Sequence, residues 1–228
     1  MKHALWRLYL VACLCLAVGS IAFAQVSVPL GGTVNVPAGG SINMGCSALE
    51  VQGAFNVNSG QVSNSASVTI GSTGNLNGGS GTLSVSGNWN NTGTFVPGTG
   101  SVLFTDGCTA GAIQIAGTNV FNNLTLSSNS GRNFVFPAGS WITVTGKLTL
   151  QGSGLPIALF SAGNRTTIVM APGSQLVSNN VTGYHLDQNG QVIIEPPSIP
   201  TLSEYALLLL SLMMALTVVW HNRKNQSR

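Results

Sequence analysis

The chain is predicted to be all-β and to wind as a parallel β-solenoid over residues 25–194. Three observations lead there. Apolar and polar residues alternate with period two in many short runs, among them Leu83–Val85, Val102–Phe104, Leu124–Leu126, Phe134–Phe136 and Ile168–Met170. Alternating side chains point to opposite faces of a strand, so each run offers one apolar face. A motif of apolar, x, apolar, x, Gly, x, apolar recurs as Leu49-Val51-Gly53-Phe55, Leu83-Val85-Gly87-Trp89 and Ile142-Val144-Gly146-Leu148. A weaker copy, Ile113-Ile115-Gly117, carries Asn119 in the last apolar place. The starting residues 49, 83, 113 and 142 lie 34, 30 and 29 positions apart, a spacing that points to a repeat architecture whose copies stack. Finally, Gly, Asn and Ser punctuate the runs. Glycine permits tight bends, and Asn at equivalent corners can share hydrogen bonds from coil to coil, as in Asn75-Leu76-Asn77, Asn88–Asn91 and Asn122-Asn123. An antiparallel β-sandwich is the alternative, since it also gives short strands between turns.

From the N-terminus, Lys2 and Arg7 precede a largely apolar stretch from Leu8 to Ile21, and Ala22-Phe23-Ala24 supplies a small-x-small cleavage pattern. Residues 1–24 therefore read as a signal peptide. Arg7 lies too close to Cys13 to leave the apolar stretch that a lipoprotein signal needs. The basic pI near 8.8 comes from the ends. Between residues 25 and 198, Arg132, Lys147 and Arg165 face Glu50, Asp106, Asp187 and Glu195, one net negative charge. No basic cluster is present to neutralise phosphates, which excludes nucleic-acid binding. Only 6% of the chain is charged, yet Val, Leu, Ile and Phe are spread throughout, so a packed core is expected rather than disorder.

Cys13 and Cys15 fall within the signal peptide, leaving Cys46 and Cys108. In an exported protein this even pair is the candidate disulfide; two buried free thiols are the alternative. Residues 26–36, with Pro29 and Pro37 near by, could cap the first coil, and residues 181–194 are the last β-like stretch. Residues 195–198 form a Pro-rich linker, because closely spaced prolines cannot pair in a ladder and hold the chain extended.

The body offers little chemistry. Its one histidine, His185, stands two residues before Asp187, and two ligands do not make a metal site. Glycoside cleavage needs two carboxylates flanking a bond, and the four available ones are scattered. No G-x-S-x-G elbow, phosphate-binding loop or dinucleotide fingerprint occurs, so no cofactor, metal or catalytic residue is assigned. Trp89 occupies an inward position of the repeat, whereas Trp141 is the outward aromatic that could contact a sugar.

The last residues combine three parts in order. Ile199-Pro200-Thr201-Leu202-Ser203-Glu204-Tyr205 is a Pro-punctuated polar motif, residues 206–220 are an apolar run, and Arg223 and Lys224 begin a basic end. As a helix, 206–220 would extend about 22 Å, short for a span of about 30 Å, and counting from Leu202 lengthens it. Hydropathy and the flanking cations predict a transmembrane helix with a cytoplasmic tail. This order resembles the IPTL-CTERM sorting domain of Gram-negative bacteria over roughly residues 198–226. The family pattern continues Trp-Gly after the acidic residue, where this chain has Tyr205-Ala206. The resemblance implies recognition by an exosortase-like membrane peptidase, cleavage near Pro200-Thr201 and transfer from the inner membrane to the cell surface or extracellular matrix. Extracellular polysaccharide and biofilm are further associations it implies. It says nothing of the body. The expectation is an exported, non-catalytic surface or matrix protein; the alternative is a carbohydrate-binding or carbohydrate-cleaving β-helix.

Overall fold

The structure, a computed structural model, describes residues 25–197 and 208–216. The expected signal peptide (1–24) lies outside the described residues. The chain divides into two compact units, Met1–Glu195 and Pro196–Arg228. The first is a parallel β-solenoid of about seven turns.

Each early turn lays one short strand on each of three faces. The first turn is β1 (Gln25–Val28), β2 (Thr33–Asn35) and β3 (Ser41–Asn43), so the residues expected to cap the stack instead open it. The next three are β4 (Ala48–Val51), β5 (Ala54–Asn56) and β6 (Gln61–Ser65); β7 (Val68–Ile70), β8 (Asn75–Asn77) and β9 (Thr82–Val85); and β10 (Trp89–Asn91), β11 (Thr94–Val96) and β12 (Ser101–Phe104). From there the strands lengthen. β13 (Ile113–Ser130) runs round the whole fifth turn, β14 (Asn133–Pro137) and β15 (Trp141–Leu155) make the sixth, and β16 (Ile157–Ala162), β17 (Thr166–Met170) and β18 (Gln175–Asn179) the seventh. Among the described residues every pairing up to this point is parallel, which rules out the sandwich.

Stacked strands put inward side chains in columns. On the first face Val26, Leu49, Val68, Trp89 and Ile115 lie in register. On the second, Val34, Phe55, Leu76 and Phe95 do so. On the third, Ile42, Val62, Leu83, Val102, Leu124, Leu148 and Leu176 form one column through all seven turns. Most of these are fully buried. Aromatic rings fill the middle of the core: Trp89 lies 5.0 Å from Phe95, in the edge arrangement that such pairs favour, and 5.6 Å from Phe121 in a tilted one, between ring centroids.

The columns correct the repeat read from the sequence. Leu49 is on the first face, Leu83 on the third and Ile142 on the second, so these residues do not stack. The motif instead marks a corner. It carries the chain from face one to two at Gly53, from three to one at Gly87, and from two to three at Gly146. In all three copies the apolar residues are buried, because any corner needs two inward positions, a bend and a third. A three-faced coil has three such corners per turn, and a corner signature therefore recurs out of step with the coil. The true period in the first four turns is that of Val34, Phe55, Leu76 and Phe95.

Two corner columns show what sets that period. Gly32, Gly53, Gly74 and Gly93 stack at the first-to-second corner, tied by Ala54 N–H to Gly32 O (2.9 Å), Asn75 to Gly53 (2.8 Å) and Thr94 to Gly74 (2.9 Å). A Cβ on Gly74 would sit 2.1 Å from Val51 O, and one on Gly93 2.6 Å from Gly74 O. At the next corner Asn58, Gly79 and Gly98 repeat a left-handed backbone, with φ of 55°, 58° and 58°. There Asn58 substitutes for glycine, as Asn tolerates this conformation better than most residues.

Amides tie coil to coil as the sequence suggested. Asn56 donates to Asn35 (2.8 Å), Asn64 to Asn43 (3.0 Å), and Gln114 N–H to Asn88 Oδ1 (2.9 Å). Asn119, in the odd copy of the motif, points inward and is fully buried. Its Oδ1 accepts the Trp89 indole N–H at 2.7 Å and Asn91 Nδ2 at 3.1 Å, and its own amide donates to Ala116 and Gly117 carbonyls. A polar group inside the core is tolerable because every bond it needs is made.

The C-terminal end of the stack is closed by a change of direction. β19 (Val181–Thr182) is followed by β20 (Tyr184–Leu186) and β21 (Val192–Ile194). β21 runs antiparallel to both β17 and β20 and is buried along its length. Covering a terminal edge blocks strand addition there.

Gly74→Ala is expected to lower stability by roughly 1–3 kcal/mol, since the neighbouring carbonyls belong to backbone that cannot yield. Exposed Thr33→Ala, in the same sheet, should stay within about 0.5 kcal/mol of the parent. Urea denaturation of the two variants measures the difference.

Candidate functional site

The sorting motif Ile199 to Tyr205 and the basic residues Arg223 and Lys224 lie outside the described residues, as do the ends of the expected membrane helix (206–220). Residues 208–216 are helical, and Leu208, Leu209, Leu210, Leu212, Met213, Met214 and Leu216 are all exposed in this unit. Among the described residues no helix is long and apolar enough to cross a membrane.

In the solenoid the densest polar constellation surrounds residues 105–112, the longest connection between strands from Gln25 to Ile194. Elsewhere a corner takes a few residues. Here the chain leaves β12, runs back along the third-to-first corner and returns to start β13. Cys108 is disulfide-bonded to Cys46, the corner residue before β4, with Cα atoms 5.1 Å apart. On its way the segment passes Asn64, whose carbonyl meets Cys108 Sγ at 3.5 Å, and Ser86, whose carbonyl accepts the Thr109 hydroxyl.

Arg132, two residues after β13, holds the segment from the other side. Its guanidinium is buried, donating from Nε to Gly111 O at 2.8 Å, from Nη1 to Ser86 O at 2.5 Å and from Nη2 to Thr109 Oγ1 at 3.1 Å. Burial lowers its pKa, and the negative charge of Asp106 opposes that shift. Asp106 accepts the Ser128 hydroxyl at 2.8 Å and the N–H groups of Asn129 (2.8 Å) and Ser130 (3.0 Å). Its partial burial favours the neutral acid, but these three donors outweigh it and hold the carboxyl below the usual carboxylate range. The hydrogen bonds that Arg132 and Asp106 make here all go to the protein's own backbone and side chains. Its chemistry is fastening.

The remaining groups considered for catalysis are dispersed. Glu50 accepts from the side chains of Gln25 and Gln52. It lies on β4, three strand spacings below β13, or about 14 Å. Asp187 closes the β20–β21 turn by accepting Asn189 and Gln191 N–H groups, both at 2.8 Å. Glu195 faces Arg165 across 3.9 Å on the surface. His185 is exposed and pairs with Ile193 in the closing hairpin. Among the described residues no group of three His, Cys, Asp or Glu side chains could hold a metal. Trp89 is fully buried, whereas Trp141 stands 60% exposed on the second face, in register with Thr118.

In the sequence Asp106 is one of four scattered carboxylates and Arg132 an isolated cation. The available signal was a gap in the strand pattern, residues 105–112, with Asp106 and Cys108 inside it. The partners of the two residues lie twenty or more positions away, and no local pattern announces them.

Comparison with known families matches the IPTL-CTERM motif to residues 197–224. The chain thus carries a C-terminal sorting motif, and the solenoid before it remains unassigned to a family. No curated protein and no solved structure matches the chain.

The depressed Asp106 pKa has a consequence for stability. Its ionised form is favoured by folding, so its contribution is complete above the unfolded carboxylate value near 3.9 and is lost as pH falls through the lower folded value. Asp106→Asn should therefore be less stable than the parent at pH 7, with the gap closing below about pH 4. Denaturation midpoints measured from pH 3 to 8 check this.

Proposed function

We propose that this is an exported, non-catalytic protein of a Gram-negative cell surface or extracellular matrix, delivered by its C-terminal signal. The observation that carries the reading is the IPTL-CTERM match at residues 197–224, directly after the solenoid ends. In this reading residues 1–24 direct export and are removed. Residues 206–220 hold the chain in the inner membrane, with Arg223 and Lys224 on the cytoplasmic side. An exosortase-like peptidase then cuts near Pro200-Thr201. The solenoid is the cargo. A body with few ionisable groups, whose carboxylates are each engaged in local structural bonds, supports a passive role for it. The Cys46–Cys108 bond suits an oxidising compartment outside the cytoplasm.

Deleting residues 199–228 should release the solenoid into the periplasm or medium while leaving it folded. Fractionation with an antibody to the body reads the outcome; unchanged surface retention would remove the sorting role.

One observation favours a second reading. Trp141 exposes its ring beside hydroxyl-bearing Thr118 and Thr143 on a face built for neither core nor turn, which suits stacking on a neutral sugar. A glycan array probed with the full-length chain, and again with Trp141→Ala, tests it. Binding that falls at least about tenfold in the variant supports a sugar-binding module; an array without signal leaves the passive reading in place.

A further inference from the structure

We infer that residues 105–112 form a redox-latched strap that clamps the early coils lengthwise, so that the Cys46–Cys108 bond decides whether those coils can open on their own. The argument starts from the architecture. In a solenoid each coil touches only its neighbours, so stability is close to a sum of local terms and opening can spread one coil at a time from an end. At the N-terminal end nothing among the described residues pairs with the outer edges of β1, β2 and β3. Their outward residues are exposed, making this the end where opening starts.

The strap adds contacts that skip coils. It leaves the fourth turn after β12, and its disulfide reaches the corner between the first and second turns, a sequence separation of 62. Two corners lie between, and it touches both: Cys108 Sγ lies 3.5 Å from the carbonyl of Asn64, near the end of β6 in the second turn, and Thr109 donates its hydroxyl to the carbonyl of Ser86 in the bend that closes the third. At the same corner a Cβ on Gly87 would meet the Ala66 carbonyl of the neighbouring coil at 2.2 Å and Thr109 Oγ1 of the strap at 3.1 Å, so the strap packs close over a corner already made tight by the coil stacking. From the far side Arg132, after the fifth turn, binds Gly111, Thr109 and Ser86 at once. Asp106 fastens the root of the strap to Ser128, Asn129 and Ser130 at the end of the same turn. Turns two to five are thereby tied in parallel as well as in series.

Two anchors of different chemistry hold the strap, and one of them is reversible. A dithiol reductant supplies two electrons and two protons to the Cys46–Cys108 bond, giving two thiols and the cyclic disulfide of the reductant. Reduction frees the lower end at Cys108, while Arg132 and Asp106 keep the upper part in place. Opening that begins at β1 can then pass β4 and proceed into β6, β7 and β9. Beyond β13 the coils have long continuous strands and the buried β21 cover, neither of which involves the disulfide.

The prediction separates a clamp on the native state from the ordinary effect of a cross-link on the unfolded chain. The latter acts only through global unfolding and changes every strand alike. Amide hydrogen exchange of the full-length chain, oxidised and after treatment with dithiothreitol, distinguishes them. Amides of β6, β7, β9 and β10 should exchange at least about tenfold faster on reduction, with β15 and β16 unchanged. Cys46→Ser/Cys108→Ser should match the reduced protein. Oxidised Arg132→Met should loosen residues 109–112 and leave β6 and β7 protected. An equal change in all strands, or none in β6 to β10, overturns the proposal. Because reduction of the parent needs no variant to fold, the result stands even if a substitution prevents folding.

Discussion

The close approach of one coil to the next is the constraint on which the rest of this molecule depends. Parallel strands stack at about 4.8 Å, and at a corner the backbone must turn within that spacing. At the first-to-second corner the carbonyl of one coil therefore lies where a Cβ of the next would be, about 2.1 Å from the ideal position at Gly74. Glycine is the residue that fits. Once the Gly32, Gly53, Gly74 and Gly93 column is fixed, the apolar residue two places on must point inward on the second face. Faces three and one follow from the lengths of the remaining corners. The charge-poor, Gly- and Asn-rich composition is a consequence of this stacking, since outward positions need only hydrogen-bond or meet water.

Fold class was legible in the sequence because alternation and corner residues are local features. The coil period was not, for a physical reason. A motif of two inward residues, a bend and a third inward residue describes every corner of a three-faced coil equally well. Leu49, Leu83 and Ile142 consequently share a motif without sharing a face. The more restrictive signal was Gly-x-apolar at residues 32, 53, 74 and 93, where the demand is made by the neighbouring coil rather than by the bend alone. After β12 the strands lengthen and that signal lapses. Asn119 was legible as an irregularity but not as a partner for Trp89, because the two stand in adjacent coils 30 residues apart. Arg132 was illegible for the same reason.

The two compact units carry different kinds of information. The solenoid holds its polar groups in structural service: Asp106 and Arg132 fasten a strap, Asp187 closes a turn and Asn119 completes an indole's hydrogen bond. The tail carries the specific motif. In the function proposed above, such a chain serves through where the cargo is delivered and how long it endures there. A nearest-neighbour stack is vulnerable to progressive opening, and a lengthwise strap counters that weakness with few residues and a single covalent bond.

Intact-mass analysis of the protein recovered from the cell surface and medium tests the central claim most directly. A chain that begins at Gln25, ends near Pro200 and retains the Cys46–Cys108 bond is the predicted result. A chain that still carries residues 201–228 would contradict processing at the C-terminal signal.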